Sequence, residues 1–153
     1  SPVRGETFVT KKIVSGLCAI AKKKNSKLYL GNIYAKRDWG HAKDYVVAMW
    51  KMLNKKKAKD YVIATGKQYS VKTFVNLVAK ELNIRIIWKG SGLNEKGYWG
   101  NKSIIEIDRR YFRPTEVNSL KGNAQLARKE LKWKPKYNIT ALIKEMIKED
   151  FNF

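Results

Sequence analysis

Arginine, histidine, glycine and two aspartates fall within nine positions in Arg37-Asp38-Trp39-Gly40-His41-Ala42-Lys43-Asp44-Tyr45. The chemistry that suits this set is anion binding. An arginine fork offers parallel N–H donors to two phosphate oxygens, and a helix start adds unpaired N–H groups and partial positive charge. Taken alone, the stretch reads as a capped helix start, with Asp38 as N-cap, a turn glycine and solvated charges. Other candidates strengthen the anion reading. Arg113 precedes Pro114 in a polar-aromatic stretch, Lys11 and Lys12 lie in a helical pattern, and Arg4 stands just before it. Arg37 and Arg113 stand out because arginine binds phosphate bidentately and lysine does not. Glu116 is acceptor-only when ionised and can bridge the two hydroxyls of a ribose.

Other chemistries are missing. Gly90-Ser91-Gly92 follows an expected strand, but Glu95 stands where the third glycine of a dinucleotide turn belongs, and no helix is expected after it. Tyr98 and Lys102 have the Tyr-x-x-x-Lys spacing of a short-chain dehydrogenase. Gly97 and Gly100 argue against the helix that would bring them together. There is no serine nucleophile elbow and no convincing carboxylate pair. One cysteine, Cys18, and one histidine, His41, give no disulfide and no zinc cluster. Cys18 falls in an apolar pattern and reads as a core residue.

The elements that must position these residues are set by composition and periodicity. A chain of 153 residues with 44% hydrophobic content is long enough for one domain with a real core. No apolar run approaches a membrane span and no signal peptide is visible, so a cytoplasmic location is expected. The net charge of +20 suggests nucleic acid. However, the excess is mostly lysine at expected helix ends, such as Lys55-Lys56-Lys57, where cations suit the dipole. Nucleic acid is therefore a secondary expectation.

Apolar positions Val9, Ile13, Leu17 and Ile20 predict a first helix, starting near Glu6. Leu28-Tyr29-Leu30 predicts a strand ending at Gly31-Asn32. Tyr45, Val46, Met49, Trp50 and Leu53 form one face of a second helix, and residues 61–64 read as a buried parallel strand. Ser70 caps a helix through Phe74, Leu77, Val78 and Leu82, and residues 84–88 form a strand. Residues 90–100 read as a loop and 104–107 as a strand. Asn123 and Thr140 are expected to cap two final helices. Strands alternating with helices give an α/β class. The strands are few for a self-contained doubly wound sheet, and the chain begins Ser1-Pro2 without methionine, so a piece of something longer is expected.

Several long blocks in order carry a resemblance: residues 1–12, Leu30-Gly31-Asn32, residues 37–45, residues 64–71, residues 111–117 and Leu131-Lys132-Trp133-Lys134-Pro135. With them the chain, from Ser1 to about Asp150, resembles the C-terminal part of the GDP-mannose 4,6-dehydratase family of extended short-chain dehydrogenases/reductases. The resemblance implies the last Rossmann strand plus a small α/β substrate-binding domain. Residues 1–153 would be the GDP-sugar-binding region, with strand 61–64 belonging to the Rossmann sheet of an N-terminal half. It implies conversion of GDP-mannose to GDP-4-keto-6-deoxymannose plus water, in nucleotide-sugar metabolism such as GDP-fucose biosynthesis. NADP takes hydride from the sugar and returns it to another sugar carbon after water leaves.

The family's glycine-rich NADP turn, catalytic threonine and glutamate, and Tyr-x-x-x-Lys belong to that other half. No catalytic residue is therefore expected here, and the chain alone is expected to be inactive. By resemblance, Arg4 approaches NADP. Val9 and Lys12 line the GDP-sugar site, and Leu30, Gly31 and Asn32 form the turn beside the guanosine. Arg37 and Arg113 grip the diphosphate and Glu116 meets the ribose. His41 is not assigned to chemistry. The loop from Gly90 to Lys102 is the least transferable segment. A homo-oligomer, dimer or tetramer, is expected of the full-length protein. The alternatives are a basic nucleic-acid-binding module and a non-catalytic nucleotide-sugar-binding domain.

Overall fold

The computed structural model describes residues 1–3, 5–22, 26–112 and 115–151. The helices among these residues are α1 (Val9–Ala21), α2 (Ala42–Leu53), α3 (Val71–Glu81), α4 (Gln125–Glu130) and α5 (Ile139–Phe151). The strands among them are β1 (Leu28–Leu30), β2 (Lys36–Arg37), β3 (Tyr69–Ser70), β4 (Ile87–Lys89), β5 (Lys96–Trp99) and β6 (Lys102–Ile107). The main sheet runs β1-β6-β5-β4, with β1 parallel to β6 and the rest an antiparallel meander. A two-stranded ribbon pairs β2 with β3, in the register Lys36 to Ser70 and Arg37 to Tyr69.

Helices α1, α3 and α5 pack on one another and share one core with the sheet. Ile13 and Leu17, Phe74 and Val78, and Ile143 and Met146 meet Ile104 and Ile105 there, each with essentially no exposure. These are the helical positions that the 3.6-residue period marks out, and their burial away from water is what holds the layers together. Lys11 and Ser15 of α1 both bond Asp150, which fastens α5 across the core edge. Cys18 is buried in that core. Burial and the nearby Asp150 carboxylate push its thiol up to about 11, so it stays protonated and inert.

A second, smaller core joins Ala48 of α2, Ala64, Ala124, Ala127, Leu131 and Trp133. Trp133 donates its indole N–H to the Asp44 carbonyl at 2.8 Å, and the Asp44 carboxylate accepts from the backbone N–H groups of Lys136 and Tyr137. The Leu-Lys-Trp-Lys-Pro segment is thereby locked to the start of α2.

Several expectations change. The N-cap of α2 is His41, whose Nδ1 accepts from the Lys43 N–H at 3.1 Å. Asp38 accepts instead from the Thr65 and Gly66 N–H groups at 3.0 and 2.8 Å, so its carboxylate is turned to that segment rather than to the start of α2. Of the face read on α2, Val46, Met49, Trp50 and Leu53 are exposed, while Asp44 and Ala48 are buried. Residues 61–65 run without any strand partner, so the expected parallel strand is not formed. A strand needs a neighbour to take its backbone groups, and none lies beside it among the described residues. Within the expected loop, residues 92–94 make a 3₁₀ turn and β5 pairs with both β4 and β6. Tyr98 and Lys102 lie on that hairpin rather than on a helix. The final caps shift too: Asn138, not Thr140, caps α5 through the Ala141 N–H at 2.9 Å, and Asn123 accepts from the Gln125 N–H at 3.0 Å. Ser70 caps α3 as expected, accepting from the Thr73 N–H at 3.0 Å.

Candidate nucleotide-sugar site

Arg37 is carried on the β2–β3 ribbon, which is held from two sides. The Val71 and Lys72 N–H groups bond the Ala35 and Ile33 carbonyls at 3.1 and 2.8 Å. On the other edge, Lys36 N–H donates to Asn118 O at 2.8 Å and Leu120 N–H donates to Lys36 O at 3.1 Å. The guanidinium donates from Nη1 to the carbonyls of Lys36 (2.9 Å) and Val117 (2.6 Å), and from Nη2 to the Glu116 carboxylate. These bonds use three of five guanidinium donors, and Arg37 lines a cavity.

That cavity has a volume of about 790 Å³. Its wall contains Val9 and Lys12 from α1, Leu30, Gly31 and Asn32 after β1, and Arg37 and Glu116. Val9 and Lys12 share a wall because positions three apart lie on one helical face. Gly31 is required by the close approach of the turn at Arg109–Tyr111: a Cβ there would lie 2.3 Å from the Tyr111 carbonyl oxygen. Asp108 N–H donates to Leu30 O at 2.8 Å and fixes that approach. The Asn32 side-chain oxygen accepts from the Tyr34 N–H at 3.0 Å. Lys12 Nζ sits 3.2 Å from the centroid of the Tyr111 ring. Seven of the nine residues expected from the sequence therefore line one cavity; the other two, Arg4 and Arg113, lie outside the described residues.

Eight further residues line the cavity that the sequence does not single out as site residues, among them Glu6, Phe8, Arg110 and Phe112. Glu6 marks only the expected start of the first helix, and the aromatics have no periodicity to flag them. Arg110 is occupied by Asp108 at 2.7 and 3.0 Å, and its hydrogen bonds hold the Asp108 carboxyl below the usual carboxylate range. The wall thus combines flat apolar surface with cations and acceptors, which suits a ligand that is part aromatic ring and part anion.

A buried acid lies outside this lining. Glu95 is 2% exposed and accepts from the Tyr34 hydroxyl and, at 2.6 Å, from Lys72 Nζ. Burial works to raise its pKa, but the hydrogen bonds from Lys72 and Tyr34 outweigh it and hold the carboxyl below its ordinary value. His41, 1% exposed, stacks on Tyr137 at 4.3 Å, and its Nε2 lies 2.9 Å from Glu145. Because Nδ1 accepts, Nε2 carries the proton toward Glu145. Among the described residues no group of three His, Cys, Asp or Glu side chains is placed to hold a metal, and no helix is long and apolar enough to cross a membrane.

The sequence pattern of the family described as GDP-mannose 4,6 dehydratase matches residues 1–146. The chain belongs to the GDP-mannose 4,6-dehydratase family. Its relatives in this family include "GDP-mannose 4,6 dehydratase" of Dictyostelium discoideum, 49% identical over 155 residues, covering 100% of this chain and 44% of the relative. Another is "GDP-mannose 4,6 dehydratase 1" of Arabidopsis thaliana, 47% identical over 98% of this chain and 37% of the relative. The chain thus spans less than half the length of the GDP-mannose 4,6-dehydratases it matches. Among solved structures, RMD from Pseudomonas aeruginosa complexed with NADPH superposes with a TM-score of 0.80 at 16% identity, over 99% of this chain and 45% of that one. The dTDP-glucose 4,6-dehydratase of Bacillus anthracis in complex with NAD gives 0.73 at 19% identity, over 99% and 42%. These likenesses establish the α/β fold, which the chain shares with part of each of those structures.

Proposed function

We propose that this chain is the substrate-binding part of a GDP-mannose 4,6-dehydratase, and that the cavity around Arg37 takes the GDP portion of GDP-mannose. The observation that carries the reading is the convergence of Arg37, Glu116, Lys12 and Asn32 on one cavity, from four separate parts of the chain. Arg37 is the diphosphate ligand, through the donors that its carbonyl and Glu116 bonds leave over. Glu116 is the ribose acceptor and also steadies the fork. The turn at 30–32 flanks the guanosine, and Val9 and Lys12 close the opposite side. Arg4 and Arg113 complete the set on resemblance alone, Arg4 toward NADP and Arg113 on the diphosphate.

NADP is the proposed cofactor of the longer protein, supported by the NADPH and NAD named for the structural neighbours. The described residues do not fit a cofactor cradle. No strand here passes through a three-glycine turn into a helix, and Gly90-Ser91-Gly92 leads into a 3₁₀ turn and β5. The hydride steps therefore belong to the rest of the protein. Residues 61–64 are proposed as the last strand of its Rossmann sheet, and the bare face of α2 as packing beside it. A soluble cytoplasmic enzyme, assembled as a dimer or tetramer, is proposed with it.

The test is thermal stabilisation by GDP, GDP-mannose and UDP at two salt concentrations. A guanine-preferring shift that survives added salt is expected. A nucleic-acid-binding module would show equal shifts with every polyanion, abolished by salt, and that outcome overturns the proposal. Coding sequence upstream of Ser1 should specify a glycine-rich turn, Thr-x-Glu and Tyr-x-x-x-Lys. A longer reading frame without them would leave a non-catalytic nucleotide-sugar-binding domain.

A further inference from the structure

Glu95 lines no part of the cavity, yet both of its partners sit beside residues that do. Tyr34 lies between Asn32 and Ala35, and Lys72 follows Val71; Asn32, Ala35 and Val71 all line the wall. The Tyr34 hydroxyl donates to one carboxylate oxygen of Glu95, and Lys72 Nζ donates to the other at 2.6 Å. We infer that Glu95 is a positioning residue of the nucleotide site. Its carboxylate clasps the 32–35 segment to the first turn of α3, and so fixes the wall against which the base is set. This rests on the proposed nucleotide-sugar reading, in which the turn at 30–32 flanks the guanosine.

The clasp closes a continuous ladder. Beyond the Lys36–Ser70 pair of the ribbon, the Val71 N–H bonds Ala35 O at 3.1 Å and the Lys72 N–H bonds Ile33 O at 2.8 Å. The Asn32 side-chain oxygen then accepts from the Tyr34 N–H at 3.0 Å. Arg37 stands at one end of this ladder and the Glu95 bridge at the other. The last bonds of a short exposed ribbon open readily. A buried charge-assisted bridge resists opening, because release would leave a carboxylate unpaired away from water. Tyr34 is 55% exposed, so its ring adds little to the core, and its hydroxyl is what ties it to the bridge.

The glycine-rich loop presents this acid. Lys89 and Lys96 are register partners, so residues 90–95 connect β4 to β5. Gly90 has a φ of +83°, and a Cβ there would lie 2.5 Å from the Asn94 carbonyl oxygen, so the turn requires glycine. The Asn94 and Glu95 N–H groups donate to Ser91 O and Gly92 O at 3.1 and 3.3 Å, and after this short turn Glu95 is buried. Lys72 is confined as well. Its Nζ lies 4.9 Å from the Trp88 ring centroid and 5.5 Å from that of Tyr34, and Trp88 Nε1 donates to Asn76 Oδ1 on α3 at 2.9 Å. Burial pushes the Glu95 pKa up, but the bonds from Lys72 and Tyr34 hold it below its ordinary value, so the bridge is charged at neutral pH.

Titrations of this chain with GDP and UDP, paired with amide hydrogen exchange, test the assignment. Tyr34→Phe removes one hydroxyl from a ring that lies largely outside the core. It should raise exchange severalfold in residues 31–36 and 71–73, and lower the ratio of GDP affinity to UDP affinity severalfold. Glu95→Leu should do the same more strongly, and Glu95→Gln, which keeps an acceptor for Lys72, should recover part of the ratio. Ile143→Val, in the core on α5, should lower the unfolding midpoint and leave both readouts unchanged. Should Glu95→Leu fail to fold, Tyr34→Phe and Glu95→Gln carry the test. An unchanged ratio in those two overturns the positioning role and leaves the nucleotide reading standing. A ratio that falls equally in Ile143→Val makes the effect one of stability and overturns the role as well. A wild-type chain that prefers neither nucleotide overturns the role and the nucleotide reading together.

Discussion

At the scale of single residues, Arg37 has one job that lysine cannot do. Its fork is oriented by two carbonyls and Glu116, so a point charge on a flexible stem would lose the geometry. Arg37→Ala should weaken GDP binding by roughly 1.5–3 kcal/mol, the cost of a charge-assisted hydrogen-bond pair. Arg37→Lys should recover little of it, and isothermal titration with GDP measures both. Gly31→Ala forces a Cβ against the Tyr111 backbone, which cannot swing aside as a side chain would. A loss of about 1–3 kcal/mol in denaturant unfolding is expected, together with weakened GDP binding.

Protonation acts at this scale as well. Glu95, Glu106, Asp108 and Glu145 all titrate below their ordinary values, held down by hydrogen bonds from cations or, for Glu95, from Lys72 and Tyr34 against burial. A depressed carboxylate contributes stability that is present above its unfolded pKa and is lost as pH falls through the folded one. The melting temperature should therefore hold from neutrality down to about pH 5 and fall below the ordinary carboxylate range. In Glu95→Gln the acid-side fall should be shallower. A melting series across pH 3–7 checks the sign, with the range set by the ordinary carboxylate pKa values.

At the scale of elements, the start of α2 depends on His41. Its imidazole caps the helix through Nδ1, faces Glu145 of α5 through Nε2 and stacks on Tyr137. His41→Ala should cost about 1 kcal/mol for the cap alone. His41→Asn keeps a cap acceptor and should retain that part, while still losing the contacts to α5. Thermal melts of the two variants separate capping from packing. No spacing rule pointed to His41 as the cap. Asp38 is the more usual capping type, and only the acceptors needed by Thr65 and Gly66 decided between them.

At the scale of the whole molecule, α2 presents Val46, Met49, Trp50 and Leu53 to solvent on one stripe. Contiguous exposed apolar surface of this kind is uncommon on a self-contained soluble domain. The chain by itself should bind a hydrophobic dye and self-associate. Trp50→Ser with Leu53→Ser should reduce both without lowering the melting temperature, because neither side chain belongs to a buried core. The chain alone should also yield no 4-keto product from GDP-mannose with added NADP, since Tyr98 and Lys102 stand on a hairpin. A coupled mass-spectrometric assay would detect it.

Much was determined by the sequence alone. The helical period marked the buried positions of α1, α3 and α5, since one face must leave water. Ser70 announced its helix because its oxygen satisfies an otherwise unpaired N–H. The ordered blocks from residue 1 to 135 carried the family, and seven of the residues singled out with them line one cavity. Tertiary structure alone decided the rest. Whether residues 61–64 form a strand depends on a neighbour that no local pattern can supply. Strand β5 hid among glycines because its pairing with β4 and β6 is what stabilises it. The burial of Glu95 against Tyr34 and Lys72 and the pairing of Arg37 with Glu116 both join residues tens of positions apart. Local spacing constrains only near neighbours, and these contacts exist because the folded chain brings distant segments within reach of one another.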